Sequence, residues 1–292
     1  MDRTHYINEA SWQLRNTDFY AALNDDPTKK YHNELKQLIQ SFPPDIRKQL
    51  STTIPAESCP GTFYMLPNIH KPGNPVRPIV SSIGTLTGLV SGFVDDVLKT
   101  FATSTPSYLQ DTTDFLNKLS QFSNLLDNTI LVTMDVASLY TNIPHEDGIQ
   151  AIKNILPDNL LTAATTELAR FVLAHNYFEF NNSLYKQICG TAMGTCMAPQ
   201  YANLFMANLE QNFLAHSSSP LVYYRYIDDI FMIWTDTLAE LEFHRGLNNA
   251  HPTIKLTIEH SNEEVHFLDT TVSFRENQNF NISQTHRQVQ LS

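Results

Sequence analysis

Hydrophobic positions along this chain follow two kinds of repeat. Between residues 86 and 101 the apolar side chains are Leu86, Leu89, Val90, Phe93, Val94, Val97, Leu98 and Phe101. That three-and-four spacing predicts an amphipathic helix, with Ser91, Asp95, Asp96 and Lys99 on its solvated face. Elsewhere the apolar runs are short and rich in β-branched and aromatic residues. Residues 222–227 and 230–234 flank only Asp228 and Asp229, which predicts a β-hairpin with the two aspartates at its turn. Both faces of these strands carry large apolar groups, so both are expected inside a sheet and not on its edge. Residues 130–134 predict another buried strand, ending at Asp135. A glycine turn at residues 190–194 precedes a helix with Ala202, Leu204, Phe205 and Leu209 inward.

With 292 residues and 42% hydrophobic content, the chain can bury a substantial core. It has no internal repeat, no apolar run of membrane-spanning length and no hydrophobic leader, so neither a membrane partner nor secretion is expected. Cys59, Cys189 and Cys196 form no CxxC pair, and the eleven histidines show no metal-ligand spacing. Neither disulfides nor zinc are expected, and an intracellular location in nucleus or cytoplasm fits. The net charge of −11, from 19 basic and 30 acidic residues, is unfavourable for gripping phosphate. Any nucleic-acid function must overcome it.

Two Asp-Asp pairs compete for attention. The helical pair, Asp95 and Asp96, is expected to be merely solvated. For the hairpin pair an ordinary polar turn is the plain alternative, and Asp135 tips the balance by bringing a third carboxylate to the same sheet edge. Like charges held that close raise one another's pKa. Divalent cations remove the penalty, and carboxylate oxygens suit Mg²⁺. Two such ions stabilise the attacking and leaving oxygens of an in-line phosphoryl displacement.

Seven blocks in order then carry a resemblance. They are "YINEA" with "DPT" near the start, "LPNIHKPGNPVRPIVS" at 66–81, "DVASLYTNIP" at 135–144 and "GTAMGTCMAPQYANLFMANLE" at 190–210. "YRYIDDIF" at 224–231, "HPTIKLTIE" at 251–259 and "HFLDTTV" at 266–272 complete them. Together they resemble a reverse transcriptase, and more specifically that of Penelope-like retroelements. Telomerase and group II intron maturases resemble these blocks less closely. The resemblance implies an α+β right-hand polymerase with fingers and a palm, the palm being an antiparallel sheet with packed helices. Residues 1–58 would form a helical lead-in, 59–275 the fingers and palm, and 276–292 a polar tail.

By the same resemblance the chain is an RNA-directed DNA polymerase acting on an RNA template, a DNA primer and dNTPs. Its cofactor would be two Mg²⁺ ions, or Mn²⁺ in their place. Asp135 and Asp228 would be the principal metal ligands, with the Val136 backbone beside them and Asp229 supporting. Lys71 and Arg77, on a Pro/Gly-rich hairpin loop, would meet the triphosphate. The backbone of Ala137 and Ser138 would lie by the β- and γ-phosphates. Tyr140 would exclude a ribose 2′-hydroxyl by bulk. Met193 and Gly194 would pass beneath the nascent base pair, and Met193 stands where many relatives carry Gln. Lys255 would protonate the departing pyrophosphate, although an exposed lysine on an alternating strand is an equally natural reading. Phe267, Leu268 and Asp269 would touch the primer end.

After Val272 the sequence continues for only twenty residues, polar and without a helical stripe. The helical thumb of such enzymes, and the GIY-YIG endonuclease of Penelope-like relatives, are therefore not expected here. Two readings stay open: a working polymerase core, and a catalytically silent binding or interaction module derived from one.

Overall fold

The computed structural model describes residues 2–67, 76–122, 129–214, 220–235, 237–274 and 280–284. Two compact units emerge. One comprises Met1–Phe101 with Tyr140–Phe205, the other Ala102–Leu139 with Met206–Ser292.

The first unit begins with α1 (Arg3–Leu14), β1 (Tyr20–Leu23), α2 (Thr28–Ser41), α3 (Pro44–Gln49) and a 3₁₀ turn at Leu50–Thr52. The hairpin β2 (Gly61–Pro67) and β3 (Val76–Ser81) follows, then α4 (Leu86–Ala102). The chain next forms α5 (Thr112–Leu119) and β4 (Ile130–Val136) of the second unit. After α6 (Leu139–Asn142) come α7 (His145–Ile155), α8 (Leu160–Ala174), β5 (Tyr177–Phe180), β6 (Ser183–Gln187) and α9 (Ala198–Leu214). The second unit is completed by β7 (Val222–Tyr226), β8 (Asp229–Trp234), α10 (Thr237–Asn249) and β9 (Leu256–Ser261). Its last strands are β10 (Glu264–Phe267), β11 (Thr270–Phe274) and β12 (Phe280–Gln284).

A five-stranded sheet of order β1-β6-β5-β2-β3 organises the first unit, antiparallel except where β2 meets β5. Strand alternation sends Phe63 and Met65 inward, against Val80, Phe178 and the Ala10 and Leu14 face of α1. Tyr64 and Leu66 face outward. The second unit holds a fully antiparallel sheet of order β7-β8-β4-β9 and a three-stranded sheet of order β10-β11-β12. One face of the larger sheet packs Leu131, Val222, Phe231 and Ile233 against α5 and the smaller sheet. There the Phe115 ring meets Phe231 at 4.9 Å and Phe267 at 4.8 Å. Such pairs add about 0.5–1.5 kcal/mol each beyond area burial.

Several expectations are corrected. The buried stripe of α4 is Leu86, Val90, Val94 and Leu98, while Leu89 is 52% exposed. Ser91 is wholly buried, because its Oγ accepts the Met197 N–H at 2.9 Å. Asp95 is half-buried and one carboxylate oxygen has no hydrogen-bond partner. Burial first, and the Asp96 charge second, raise its pKa. Only Asp96 of the pair is exposed.

The hairpin is present, but β7 is an edge strand of its sheet. Its apolar pattern has a different cause: residues 107–109 cover that edge. Arg225 N–H donates to the Ser107 carbonyl at 2.6 Å, and Leu109 N–H to the Arg225 carbonyl at 2.9 Å. The lead-in is not wholly helical, since β1 pairs with β6. Residues 59–275 are shared between the two units, and residues 280–284 of the polar tail pair with β11. No helix among the described residues is long and apolar enough to cross a membrane.

Candidate active site

The apolar run of β4 carries Asp135 to the end of the central strand pair. Asp135 lies directly opposite Asp229 on β8 and Thr257 on β9. Directly opposed residues share a sheet face, so the two carboxylates point the same way. Two residues back, Thr133 is flanked by Phe231 and Glu259 on that face. Thr133, Asp135, Asp229, Thr257 and Glu259 line an open cavity of about 370 Å³ together with His266, Phe267 and Leu268.

Asp228 reaches the same sheet end from a tight turn. Tyr226 pairs with Asp229, so the two turn residues are Ile227 and Asp228, and Asp229 opens β8. The turn is therefore Ile-Asp and not Asp-Asp. Ile227 sits at φ 55°, the left-handed region, which is disfavoured for a β-branched residue. Such backbones cost of order 1–3 kcal/mol each. The turn is tied to β4 by Val136 N–H donating to the Asp228 carbonyl at 2.9 Å. The following residues, Ala137 and Ser138, are exposed; Ala137 N–H donates to the Lys255 carbonyl at 2.8 Å, and Ser138 has φ 51°.

Lys255 is exposed, with Nζ 3.5 Å from the Asn248 carbonyl, and is not among the residues lining the cavity. Asp269 is exposed beside Leu268 in the β10–β11 turn, where Leu268 has φ 52°.

The other expected site residues belong to the first unit. Arg77 lies on strand β3, opposite Leu66, and not on a loop. Lys71 falls outside the described residues. Met193 and Gly194 belong to a loop stitched along β3: Val80 N–H donates to the Met193 carbonyl at 2.9 Å, and Ser82 Oγ to the Gly194 carbonyl at 2.8 Å. Gly194 has φ 112°, and a Cβ there would sit 2.4 Å from the Val80 carbonyl oxygen. Only glycine meets both conditions without strain. The other end of the loop is fastened to the Tyr140 segment, where Thr191 N–H donates to the Tyr140 carbonyl at 2.7 Å. His145 Nε2 lies 2.8 Å from the Gly190 carbonyl. Burial lowers the His145 pKa, which favours the neutral ring donating from Nε2.

Residue reasoning missed Thr133, Thr257, Glu259 and His266. Their signal was alternation: on β4 and β9, positions two apart share the face that carries Asp135. As a metal site the donor set is hard oxygen, with Asp135 and Asp229 opposed and hydroxyl and carboxylate oxygens alongside. Among the described residues no three His, Cys, Asp or Glu side chains are grouped to hold an ion by themselves. Mg²⁺ at phosphoryl-transfer sites is held by one or two carboxylates plus substrate phosphates, so the set fits that ion.

Comparison with known proteins adds the family. The profile described as reverse transcriptase (RNA-dependent DNA polymerase) matches residues 69–267, more than half of the chain. No curated protein sequence matches. Among solved structures, a Candida tropicalis apo telomerase truncated of its C-terminal domain is similar with TM-score 0.65 and 11% identity, over 95% of this chain and 59% of that one. A Candida albicans telomerase, solved with a TWJ fragment of telomeric RNA, gives TM-score 0.57 and 11% identity, over 86% and 51%. The RNA-dependent RNA polymerase of BmCPV at its quiescent state gives 0.55 and 12%, over 95% and 26%. These likenesses bear on the fold: a mixed α+β chain with antiparallel sheets of the polymerase fingers and palm kind. The chain spans 59% or less of the length of these three structures.

Proposed function

The chain belongs to the reverse transcriptase family, and we propose that it is the RNA-directed DNA polymerase core of a retroelement of Penelope-like type. It would add dNTPs to a primer 3′-hydroxyl on an RNA template. One observation carries the reading: Asp135 and Asp229 directly opposed at the end of the antiparallel sheet, lining one cavity with Phe267 and Leu268.

In this reading Asp135 and Asp228 would hold the metal, with the Val136 backbone beside them and Asp229 as the neighbouring carboxylate. Bound Mg²⁺ would supply stabilisation of the attacking and leaving oxygens of the displacement. The chain's own residues do the rest. The Phe267–Asp269 segment would touch the primer end through its turn residues, while the Phe267 ring is buried against Phe115 and Phe231. Arg77 and Lys71 would offer cations to the triphosphate, and the exposed Ala137–Ser138 segment would lie by its β- and γ-phosphates. Tyr140 excludes the 2′-hydroxyl by bulk. Met193, whose carbonyl accepts the Val80 N–H, would meet the base pair with a thioether that offers no hydrogen-bond donor.

The net charge of −11 favours a second reading, a catalytically silent interaction module that binds phosphate too weakly to extend a primer. Extension of a labelled DNA primer on an RNA template with Mg²⁺ separates the two. Wild type and the Asp95→Asn plus Asp96→Asn variant should extend, and Asp228→Asn should not. No extension by wild type at saturating template-primer favours the silent module.

A further inference from the structure

The turn that carries Asp228 rests on a buried polar network within the second unit. Arg225, on the edge strand β7, is 0% exposed, and Glu210 of α9 is 3% exposed. Arg225 Nε donates to Glu210 Oε1 at 2.5 Å, and its Nη1 donates to the Ile227 carbonyl at 3.1 Å. Glu210 also accepts Ser107 Oγ–H at 2.6 Å and Tyr223 O–H at 3.0 Å. Burial, and then the Glu210 charge, hold the Tyr223 hydroxyl well above its usual pKa, so it stays a donor. The Arg225 backbone is itself clamped to residues 107–109.

A buried ion pair is weak evidence for stability, because a packed apolar pair often serves as well. This guanidinium does something an apolar pair cannot: it reaches past its carboxylate to one specific carbonyl. That carbonyl belongs to Ile227, whose φ of 55° is disfavoured for its side chain and whose peptide plane leads directly into Asp228. A charge-assisted hydrogen bond on that oxygen holds the plane against relaxation. We infer that Arg225, oriented by Glu210, is a positioning residue that keeps the Ile227–Asp228 turn in the conformation presenting Asp228. The catalytic part of this inference rests on the proposed polymerase activity.

The test uses the full chain with Arg225→Lys and the double variant Arg225→Met plus Glu210→Met. The double change removes both charges together, and Lys keeps the charge while losing the planar fork. Amide hydrogen exchange of the peptide spanning residues 226–230 is read beside single-nucleotide extension. Exchange should rise at least tenfold in both variants. The kcat should fall at least tenfold, with KM for the matched dNTP changed less than about twofold, while thermal unfolding stays cooperative. A merely structural pair predicts the reverse: a folded double variant with a protected turn and full kcat, and that result overturns the inference. If the double variant does not fold, Arg225→Lys decides, and a turn protected as in wild type overturns it. If wild type itself does not extend a primer, the polymerase reading fails, and the exchange arm alone still decides whether Arg225 holds the turn.

Discussion

Asp135 and Asp229 face each other across neighbouring strands, and that geometry sets a stability penalty which Asp229→Asn should relieve. Directly opposed residues have Cβ atoms about 4.5–5.5 Å apart, and a pair interaction there is worth roughly 0.2–1 kcal/mol, unfavourable for like charges. Coulomb's law gives about 0.8 kcal/mol near 5 Å in water, within that range, and about 3 kcal/mol at an effective dielectric of 20, above it. Both side chains are part-exposed, so the lower figure applies. In EDTA, Asp229→Asn should therefore raise the thermal midpoint by about 1–3 °C, at roughly 2–4 °C per kcal/mol. Mg²⁺ reverses the order. At about ten times Kd it adds about 1.4 kcal/mol to the wild type, and the variant, having lost an anionic oxygen, should gain less. Primer extension should fall by about a thousandfold, equivalent to roughly 4 kcal/mol of barrier. Scanning calorimetry in EDTA and in Mg²⁺, with quantified extension, checks all three. A lower midpoint in EDTA together with an unchanged Mg²⁺ response would refute the opposed-carboxylate argument.

Gly194→Ala should cost about 2–4 kcal/mol in urea unfolding, from its φ of 112° and the 2.4 Å approach to the Val80 carbonyl. Gly92→Ala, in α4 with nothing within 4 Å, should instead gain about 0.5–1 kcal/mol, and equal behaviour of the two would remove the argument. His145 has a folded pKa below its unfolded value, so its contribution to stability is present above about pH 6.5 and lost as pH falls through the folded pKa. Wild type should accordingly lose more stability than His145→Gln between pH 7.5 and 5.5, measured by urea midpoints. Tyr140→Val should raise the rNTP/dNTP insertion ratio by at least tenfold, and an active variant with an unchanged ratio would make Tyr140 an ordinary packing residue.

Local patterns made the second unit partly legible. The runs around residues 130–134 and 222–234 are short, β-branched and aromatic, bounded by polar residues, and both regions are strands. Helix α4 was readable for the same reason, although its polar face was not: Ser91 is buried by a hydrogen bond to Met197, a residue over a hundred positions away. Strand β1 and the tail strand β12 were invisible because each is a few residues long and acquires meaning only from its partner. The edge position of β7 was misread because burial by residues 107–109 mimics burial by a sheet neighbour. At the site, the carboxylates were found as residue types, and their cavity companions Thr133, Thr257 and Glu259 were missed for want of the cross-strand register.

Three of the places where local rules fail in the second unit gather at one hairpin turn. Two like charges oppose each other at Asp135 and Asp229, a β-branched residue occupies a left-handed backbone at Ile227, and a charged pair is buried at Arg225 and Glu210. Each carries a cost in isolation, and for the buried pair that cost is relieved only by replacing both partners together, since removing one leaves a buried charge unpaired. Each involves a residue within three positions of Asp228, namely Asp229, Ile227 and Arg225. The rest of that sheet keeps its alternation, with Leu131, Phe231 and Ile233 turned into one apolar layer. Conflict gathered around this turn supports the proposal that it is held for chemistry.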